Sequence, residues 1–197
     1  MALKTFVKVS GINNLSDARY CAGMEVNELG FEIEESSLNY VDPQVFKEIK
    51  GWLSGVEFVA EITTDSTAII DLISHYEVDL IQVEKLEQIG EALETGLKVC
   101  FATTDKSSAL KAWEISKHQL AYILFDGSER SVEEINELAK MFPLVLASGF
   151  DATSVNDIIE GPIKGISIRG GNEIRPGYKD FDEMADILEA LEIDDLA

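Results

Sequence analysis

The chain has 197 residues, of which 46% are hydrophobic and 27% are charged, and its formal net charge is −21. This length favours one compact domain with a sizeable core, so we predict a single domain over residues 1–197. The strong negative charge disfavours nucleic acid as a partner, because the two molecules would repel each other. No apolar stretch reaches the roughly 18 residues of a membrane-spanning helix, and no signal peptide is visible. We therefore expect a cytoplasmic protein with no membrane partner.

Short β-rich runs alternate with segments of helical periodicity along the whole chain. The first half predicts, in chain order, strand Thr5–Ser10 and helix Leu15–Met24, strand Val26–Ile33 and a helix begun by Asp42 and Pro43, strand Val56–Ile62 and a helix from Asp65 or Ser66 to about Tyr76, and strand Asp79–Val83 and helix Leu86–Glu94. The second half predicts strand Leu97–Ala102 and helix Lys106–Lys117, strand Leu120–Phe125 and helix Val132–Lys140, strand Pro143–Ala147 and helix Ala152–Ile159, and strand Lys164–Ile168 and helix Asp182–Leu191.

This uninterrupted alternation predicts parallel strands joined by right-handed crossovers. Eight such units close into a (β/α)8 barrel, the TIM-barrel fold of the α/β class. The alternative is an open doubly wound sheet, but no Gly-x-Gly-x-x-Gly motif of a dinucleotide-binding fold follows the first strand. A barrel of this kind typically needs about 250 residues, so we expect a compact version with shortened loops.

Polar side chains end several of the predicted strands. In a (β/α)8 barrel the active site lies at the carboxyl ends of the strands, and residues two apart along a strand share a face. These rules select, as candidates for the barrel mouth, Lys8, Ser10, Gln82, Glu84, Asp126, Ser167 and Arg169. Polar groups inside a barrel are costly unless they are paired, so each one either carries chemistry or closes the barrel top through hydrogen bonds. For Asp126, which directly follows an apolar strand, we favour chemistry.

Glycines follow the last two predicted strands. Gly149 comes after strand seven, and Gly170 and Gly171 come after strand eight. The loops after these two strands are the usual phosphate site of this fold. Glycine lets the backbone approach an oxyanion closely, and a following helix N-terminus adds its dipole. Although glycine also simply forms turns, the pattern predicts a phosphate site, with a small phosphorylated metabolite as the partner.

Several motifs follow one another in order over nearly the whole chain. They are KVSGINNLSDA at 8–18, Gly30-Phe31, SLNYVDP at 37–43, Leu124-Phe125-Asp126, LASG at 146–149 and RPGYKD at 175–180. In this order they resemble motifs of the phosphoribosylanthranilate isomerase family, whose opening reads Lys-Ile-Cys-Gly-Ile-Thr-Asn-Leu-x-Asp-Ala. The opening motif is fairly specific, and the others gain weight from their order.

By this resemblance the activity is an Amadori rearrangement, the aldose-to-ketose isomerisation of a phosphoribosyl amine in tryptophan biosynthesis. The family uses an aspartate on strand six as general acid and a cysteine on strand one as general base. Asp126 matches the aspartate, but Ser10 occupies the cysteine position. A thiol has a pKa of about 8.5, whereas a hydroxyl is a poor base without an activating partner. Lys8 lies on the same predicted face and is a further catalytic candidate; we expect the standard reaction to be very slow or absent.

Other positions of the predicted mouth also depart from the family pattern. The family's substrate-anchoring arginine falls at Asn39, its strand-four Gln-Leu-His-Gly has Glu84 in the place of histidine, and its strand-eight Asp-Val-Ser-Ser-Gly has Arg169 in the place of the first serine. Its glycine-rich loop after the strand-six aspartate is missing. We therefore predict a rebuilt site in which Asn39, Glu84 and Arg169 contact the substrate, and an ion pair between Glu84 and Arg169 across the mouth.

Two functions remain open at this point. The first is a divergent enzyme of this isomerase family, and the second is a non-catalytic or repurposed barrel that binds a small phosphorylated ligand. The acidic surface also permits a purely structural role. We predict no cofactor and no metal, because no spacing of Cys, His and carboxylate residues suggests a metal site. The two cysteines, Cys21 and Cys100, imply no disulfide framework, and the family resemblance implies a monomer or a homodimer.

Overall fold

The structure is a computed structural model that describes residues 2–66, 68–169, 173–175, 178–179 and 182–193. Eight parallel strands close into a barrel in chain order, with β8 hydrogen-bonded to β1. The barrel strands are β1 Phe6–Ser10, β2 Glu28–Glu32, β3 Glu57–Ile62, β4 Leu80–Val83, β5 Lys98–Thr103, β6 Tyr122–Phe125, β7 Leu144–Leu146 and β8 Gly165–Arg169. The predicted compact (β/α)8 barrel is thereby confirmed.

Helices follow the strands and cover the outside of the barrel. They are α1 Leu15–Gly23, α2 Pro43–Gly51, α3 Ile69–Ile73, α4 Gln88–Glu94, α5 Lys106–Ile115, α6 Val132–Ala139, α7 Val155–Ile159 and α8 Asp182–Ala190. None of the helices in the described ranges is long and apolar enough to cross a membrane.

Local side-chain caps explain where several of these helices begin. The Asn14 side chain accepts a hydrogen bond from the backbone of Asp17 at 2.9 Å, and Asp42 caps α2 immediately before Pro43. Ser131 and Glu134 form a reciprocal capping box at the start of α6. Each cap satisfies backbone N–H groups that a helix terminus leaves without partners.

Two elements differ from the sequence-based expectation. Helix α3 starts after Ala68 and lacks a side-chain cap, because the Ser66 hydroxyl instead accepts from the Ala68 amide within a turn. In addition, the segment before α8 forms an antiparallel ribbon of β9 Glu173–Arg175 and β10 Tyr178–Lys179. In the sequence, the Pro-Gly dipeptide between those two short runs is a turn signature.

The barrel interior is apolar at its lower end and polar at its upper end. The lower layers contain a buried cluster of Val59, Leu80, Cys100, Tyr122, Leu124 and Val145. One carboxylate reaches this cluster: the Tyr122 hydroxyl donates to Glu28 Oε2 at 2.5 Å, and burial raises the pKa of Glu28. The polar side chains selected from the sequence begin at the level of this cluster, where Gln82 is in register with Cys100, and continue toward the carboxyl ends of the strands.

Candidate active site

The Lys8 side chain lies fully buried inside the barrel and makes three hydrogen bonds. Its Nζ donates to Ser10 Oγ at 2.9 Å, to Glu61 Oε1 at 2.5 Å and to Gln82 Oε1. A charged ammonium has three protons and no acceptor, so these partners use its whole hydrogen-bonding capacity. In this arrangement Lys8 acts as a donor and cannot take a proton from a substrate.

Glu61, on β3, holds this arrangement together and was not among the residues selected from the sequence. Its second carboxylate oxygen accepts from the Gly11 amide at 3.2 Å. Its side chain lies against Gly30 on β2, where an added Cβ would come within 2.1 Å of Glu61 Oε1. Burial raises the pKa of Glu61, but the charge and hydrogen bond of Lys8 outweigh burial and bring this pKa below its ordinary value. Glu61 therefore stays ionised and keeps Lys8 charged.

Ser10 ends β1 just below the barrel mouth and is 8% exposed. Its oxygen accepts from Lys8 and lies 3.4 Å from the hydroxyl oxygen of Ser167 on β8. A hydroxyl that accepts from an ammonium is a better proton donor than acceptor. Of the two residues predicted to supply a base, Lys8 is thus held as a donor, and the Ser10 oxygen is already used to accept from Lys8.

Arg169, at the end of β8, pairs with Glu32 at the end of β2. Its Nη2 lies 2.7 Å from Glu32 Oε1, and the guanidinium passes over Gly11 at the top of β1. The predicted ion pair of Arg169 with Glu84 is wrong: in the described ranges, Glu32 is the carboxylate within 4.0 Å of Arg169. The reason is the strand order, because β2 is two strands from β8 whereas β4 lies on the opposite side of the barrel.

Asn39 and Glu84 occupy two other sectors of the mouth. The Asn39 side chain donates to Glu32 Oε1 at 3.4 Å, so it contacts a protein carboxylate. Glu84 follows β4 and is exposed on one side. Desolvation raises the pKa of Glu84, as does the charge of Glu61, while Lys85 and Arg169 act in the opposite direction. Two carboxylates, Glu32 and Glu84, therefore face the mouth from β2 and β4.

Asp126 follows β6 and is held by the loop after β7. It accepts from the Ser148 hydroxyl and from the Ser128 amide at 2.9 Å. The Ser148 hydrogen bond, followed by that of Ser128, lowers the pKa of Asp126. At neutral pH the carboxyl is ionised, so it can donate a proton only after a ligand or solvent supplies one. Ser148 precedes the predicted Gly149 in the sequence, but its contact with Asp126 joins two different loops and could not be predicted from the sequence.

A cavity of about 340 Å³ opens between the ends of β7 and β8. Its lining includes Ser148, Gly149, Ser167, Arg169 and Glu183. Its size is that of a small-ligand pocket, and it lies where this fold usually binds phosphate. The predicted phosphate glycines Gly170 and Gly171 lie outside the described residues. A second cavity of about 420 Å³ lies on the other side of Asp126, lined by Thr104, Asp105, Asp126, Ser128, Glu129 and Arg130.

Gly149→Ala is expected to lower the free energy of unfolding by about 1–2 kcal/mol, because Gly149 has a φ of +86° that disfavours any side chain. The new Cβ would also lie 2.9 Å from the Gly127 carbonyl oxygen. Urea unfolding measures the effect, and Gly90→Ala is the matched control. Gly90 lies within α4 with nothing near its Cβ position, so alanine there is expected to stabilise by about 0.5–1 kcal/mol. Equal changes in the free energy of unfolding at both positions would contradict the conclusion that the backbone at Gly149 disfavours a side chain.

Among the described residues, no group of three or more His, Cys, Asp or Glu side chains could hold a metal ion.

The candidate site consists of a buried Lys8–Glu61 pair, a bridge between Glu32 and Arg169, and Asp126 beside the β7–β8 cavity. This arrangement offers an ionised carboxylate, several hydroxyls and a place for a small anion.

Comparison with known proteins identifies the family to which this barrel belongs. The sequence model of N-(5'phosphoribosyl)anthranilate (PRA) isomerase matches residues 7–190. The N-(5'-phosphoribosyl)anthranilate isomerase of a Nitratiruptor species is 28% identical over 189 residues, covering 93% of this chain and 96% of the relative. That of Maridesulfovibrio salexigens is 22% identical over 205 residues, covering 96% of this chain and 99% of the relative.

A solved structure gives the same result for the fold. Phosphoribosyl anthranilate isomerase in complex with reduced 1-(o-carboxyphenylamino)-1-deoxyribulose 5-phosphate superposes with a TM-score of 0.76 at 23% identity. The match covers 95% of this chain and 98% of the other. With the family model spanning almost the whole barrel, the chain belongs to the N-(5'-phosphoribosyl)anthranilate isomerase family.

Proposed function

We propose that this chain catalyses the aldose-to-ketose isomerisation of a phosphoribosyl amine at the barrel mouth, slowly compared with a relative that carries the thiol. The observation that carries this proposal is the position of Asp126, which follows β6 at the same barrel end as Ser10 and accepts a hydrogen bond from Ser148, a residue that lines the β7–β8 cavity. The family membership of residues 7–190 supports the reaction type.

The chemistry needs one acid and one base and is redox-neutral. The ring oxygen takes a proton as its bond to C1 breaks, which leaves an iminium at C1. A base then removes the proton from C2, the electrons move toward nitrogen, and the enolic product tautomerises to the ketone. Asp126 is placed to deliver the first proton, which its carboxylate, ionised at neutral pH, must first take up from the ligand or from solvent. The second step lacks an efficient agent, because Ser10 accepts from Lys8 and Lys8 is charged.

The phosphate end of such a substrate fits the cavity between β7 and β8. Gly149 leaves the backbone of its loop open to close approach, and Ser167 supplies a hydroxyl at the cavity wall. Binding through N–H and O–H groups does not need a free cation, which suits a chain with a net charge of −21. Gly170 and Gly171 remain predicted members of this phosphate site.

Asp126→Asn is expected to lower kcat/KM by about 10²-fold or more, the usual contribution of a general acid. The assay follows turnover of N-(5'-phosphoribosyl)anthranilate by the unmodified protein and by Ser10→Cys, each with and without Asp126→Asn. Asp65→Asn is the matched control: its carboxylate is on the same end of the barrel but exposed, in a surface pair with Lys85. Unchanged activity of the Asp126→Asn proteins would show that another group supplies the proton.

A second candidate function is a non-catalytic barrel that binds a small phosphorylated ligand. The hydrogen bond that Lys8 donates to the Ser10 oxygen specifically favours this candidate, since it occupies the oxygen that would act as a base and binding needs no base. Complete absence of turnover by both the unmodified protein and Ser10→Cys, together with binding of inorganic phosphate that Gly149→Ala weakens, would select it over the isomerase.

The partner we infer is therefore a small phosphorylated metabolite, and neither nucleic acid nor membrane is part of the proposal. We also place its work in the cytoplasm. Both Cys21 and Cys100 are buried and form no disulfide bond, as expected for a protein of a reducing compartment.

A further inference from the structure

Glu32 presents a buried carboxylate at the barrel mouth, and three N–H donors of the protein contact that carboxylate. Its side chain is 7% exposed, while that of its partner Arg169 is 60% exposed. Besides Arg169, it receives the Asn39 backbone amide at Oε2 and the Asn39 side-chain amide at Oε1, both at 3.4 Å. Guanidinium and amide groups are the donors with which proteins usually bind a ligand carboxylate.

The loops around Glu32 fix these donors in place. Asn14 donates to Asn13 at 3.1 Å, and Asn13 donates to the Asn39 side-chain oxygen at 3.3 Å. Because its oxygen is already used, the Asn39 amide group is oriented with its N–H toward Glu32. The bridge from Arg169 to Glu32 thus belongs to a network that joins the loops after β1 and β2 with the end of β8.

The same network leaves the mouth with no free cation among the candidate site residues. Glu61 neutralises Lys8, and Glu32 neutralises Arg169. Within the residues that the structure describes, two further carboxylates, Glu84 and Asp126, form no salt bridge with a cation. An incoming carboxylate would therefore meet like charge, whereas a phosphate group can still use the N–H and hydroxyl groups of the β7–β8 cavity.

We propose that Glu32 is a specificity-determining residue. Its carboxylate occupies the position, between Arg169 and Asn39, in which a ligand carboxylate could otherwise bind. The mouth then selects phosphoribosyl amines whose nitrogen substituent carries no carboxylate. This inference deepens the proposed function and rests on it for the identity of the sugar phosphate, but the masking of Arg169 by Glu32 stands on the contacts alone.

The test compares two ligands that differ in one carboxylate. They are reduced 1-(o-carboxyphenylamino)-1-deoxyribulose 5-phosphate, which a relative binds, and the corresponding phenylamino compound. Calorimetry on the unmodified protein is expected to show the phenylamino compound binding about tenfold more tightly, a difference of about 1.4 kcal/mol. In Glu32→Gln the preference is expected to reverse, because Arg169 becomes free to pair with the ligand carboxylate. Tighter binding of the carboxyl compound by the unmodified protein would overturn the inference.

Two further variants control the experiment. Glu35→Gln makes the same chemical change at an exposed position of the same loop, and it is expected to leave the preference unchanged. Arg169→Ala added to Glu32→Gln is expected to remove the gained preference for the carboxyl compound, because the guanidinium that glutamine leaves free is then absent. A preference for the carboxyl compound that persists in this double variant would contradict the masking, whereas the ligand preference of the unmodified protein tests the masking without any variant.

Anthranilate alone separates failure of this inference from failure of the proposed function. Glu32→Gln is expected to bind anthranilate at least about tenfold more tightly than the unmodified protein, and adding Arg169→Ala is expected to abolish the gain. If anthranilate behaves in this way but neither sugar phosphate binds, the masking role holds and the isomerase proposal fails. If Glu32→Gln gains no affinity for anthranilate, the specificity role of Glu32 is wrong.

Discussion

Replacing Glu61 by glutamine is expected to lower the free energy of unfolding by about 3–5 kcal/mol, because it leaves the Lys8 ammonium charged and unpaired inside the barrel. Both side chains are at most 1% exposed, so water cannot replace the lost carboxylate. Glutamine keeps an oxygen that can accept from Lys8, but it removes the opposite charge. Urea unfolding measures the change, and the dependence of the unfolding free energy on urea concentration should be the same for both proteins.

Glu57 offers a matched control on the same strand. Its carboxylate lies 2.5 Å from Lys98, but the two side chains are 44% and 56% exposed, so Glu57→Gln is expected to cost at most about 1 kcal/mol. Replacing both buried partners together, Lys8→Met with Glu61→Leu, is expected to recover most of the stability because neither charge remains. A Glu61→Gln protein as stable as Glu57→Gln would contradict the buried pair.

The stabilisation by Glu61 also depends on pH. Its pKa is lower in the folded protein than its ordinary value of 4.5, so its contribution is complete above about pH 4.5 and is lost as pH falls through the folded pKa. The difference in unfolding free energy between the unmodified protein and Glu61→Gln should therefore be largest near neutral pH and shrink in acid. If the difference in unfolding free energy between the two proteins grew as pH fell, the conclusion that folding lowers the pKa of Glu61 would be wrong.

Ser10→Cys is expected to raise kcat for N-(5'-phosphoribosyl)anthranilate by about 10²-fold or more, the range that a positioned general base contributes. The Lys8 ammonium lies 2.9 Å from the Ser10 oxygen, and a neighbouring cation lowers the pKa of a thiol and favours the thiolate. The variant thus gains a thiolate base at a position where the serine hydroxyl is a poor base. Steady-state kinetics measures the gain.

Ser167→Cys is the control for this substitution. Ser167 lies 3.4 Å from Ser10, yet it has no hydrogen bond to Lys8, so a thiol at this position should bring no comparable rise. An equal gain in both variants would show that any thiol near the mouth suffices and that Lys8 does not prepare position 10. No gain in Ser10→Cys would show that the unmodified protein already uses another base.

The two changes at the mouth act on different kinetic constants. Ser10→Cys supplies a group that works in the transition state, so its effect appears in kcat. Glu32→Gln frees Arg169 for a substrate carboxylate, so its effect on this substrate appears as a lower KM with kcat little changed. This division separates the loss of the base from the specificity role of Glu32.

The barrel could be predicted from the sequence because each strand is a short apolar run bounded by helical periodicity. The caps at Asn14, Asp42 and Ser131 were likewise local features. Residues at the upper ends of β1 and β6 were also located correctly, since the alternation of side chains along a strand assigns Lys8, Ser10 and Asp126 to the inner face.

The charged pairs could not be read from single strands. Alternation places Glu61 and Glu32 on the inner face of β3 and β2, and applying the rule to these strands would have selected both residues. Their partners are long-range contacts: Glu61 pairs with Lys8 and Glu32 with Arg169. The expected Glu84–Arg169 pair was wrong for the same reason. Alternation along a strand predicts which face of the sheet a side chain is on, but it does not predict which side chain of another strand lies next to it.

The most direct test of the central claim is a single-turnover measurement with enzyme in excess over N-(5'-phosphoribosyl)anthranilate, which isolates the chemical step from product release. At saturating enzyme, the unmodified protein is predicted to convert the bound substrate about 10²-fold more slowly than Ser10→Cys. Equal rate constants for the two proteins would contradict the claim that the Lys8–Glu61 pair leaves strand one without a base.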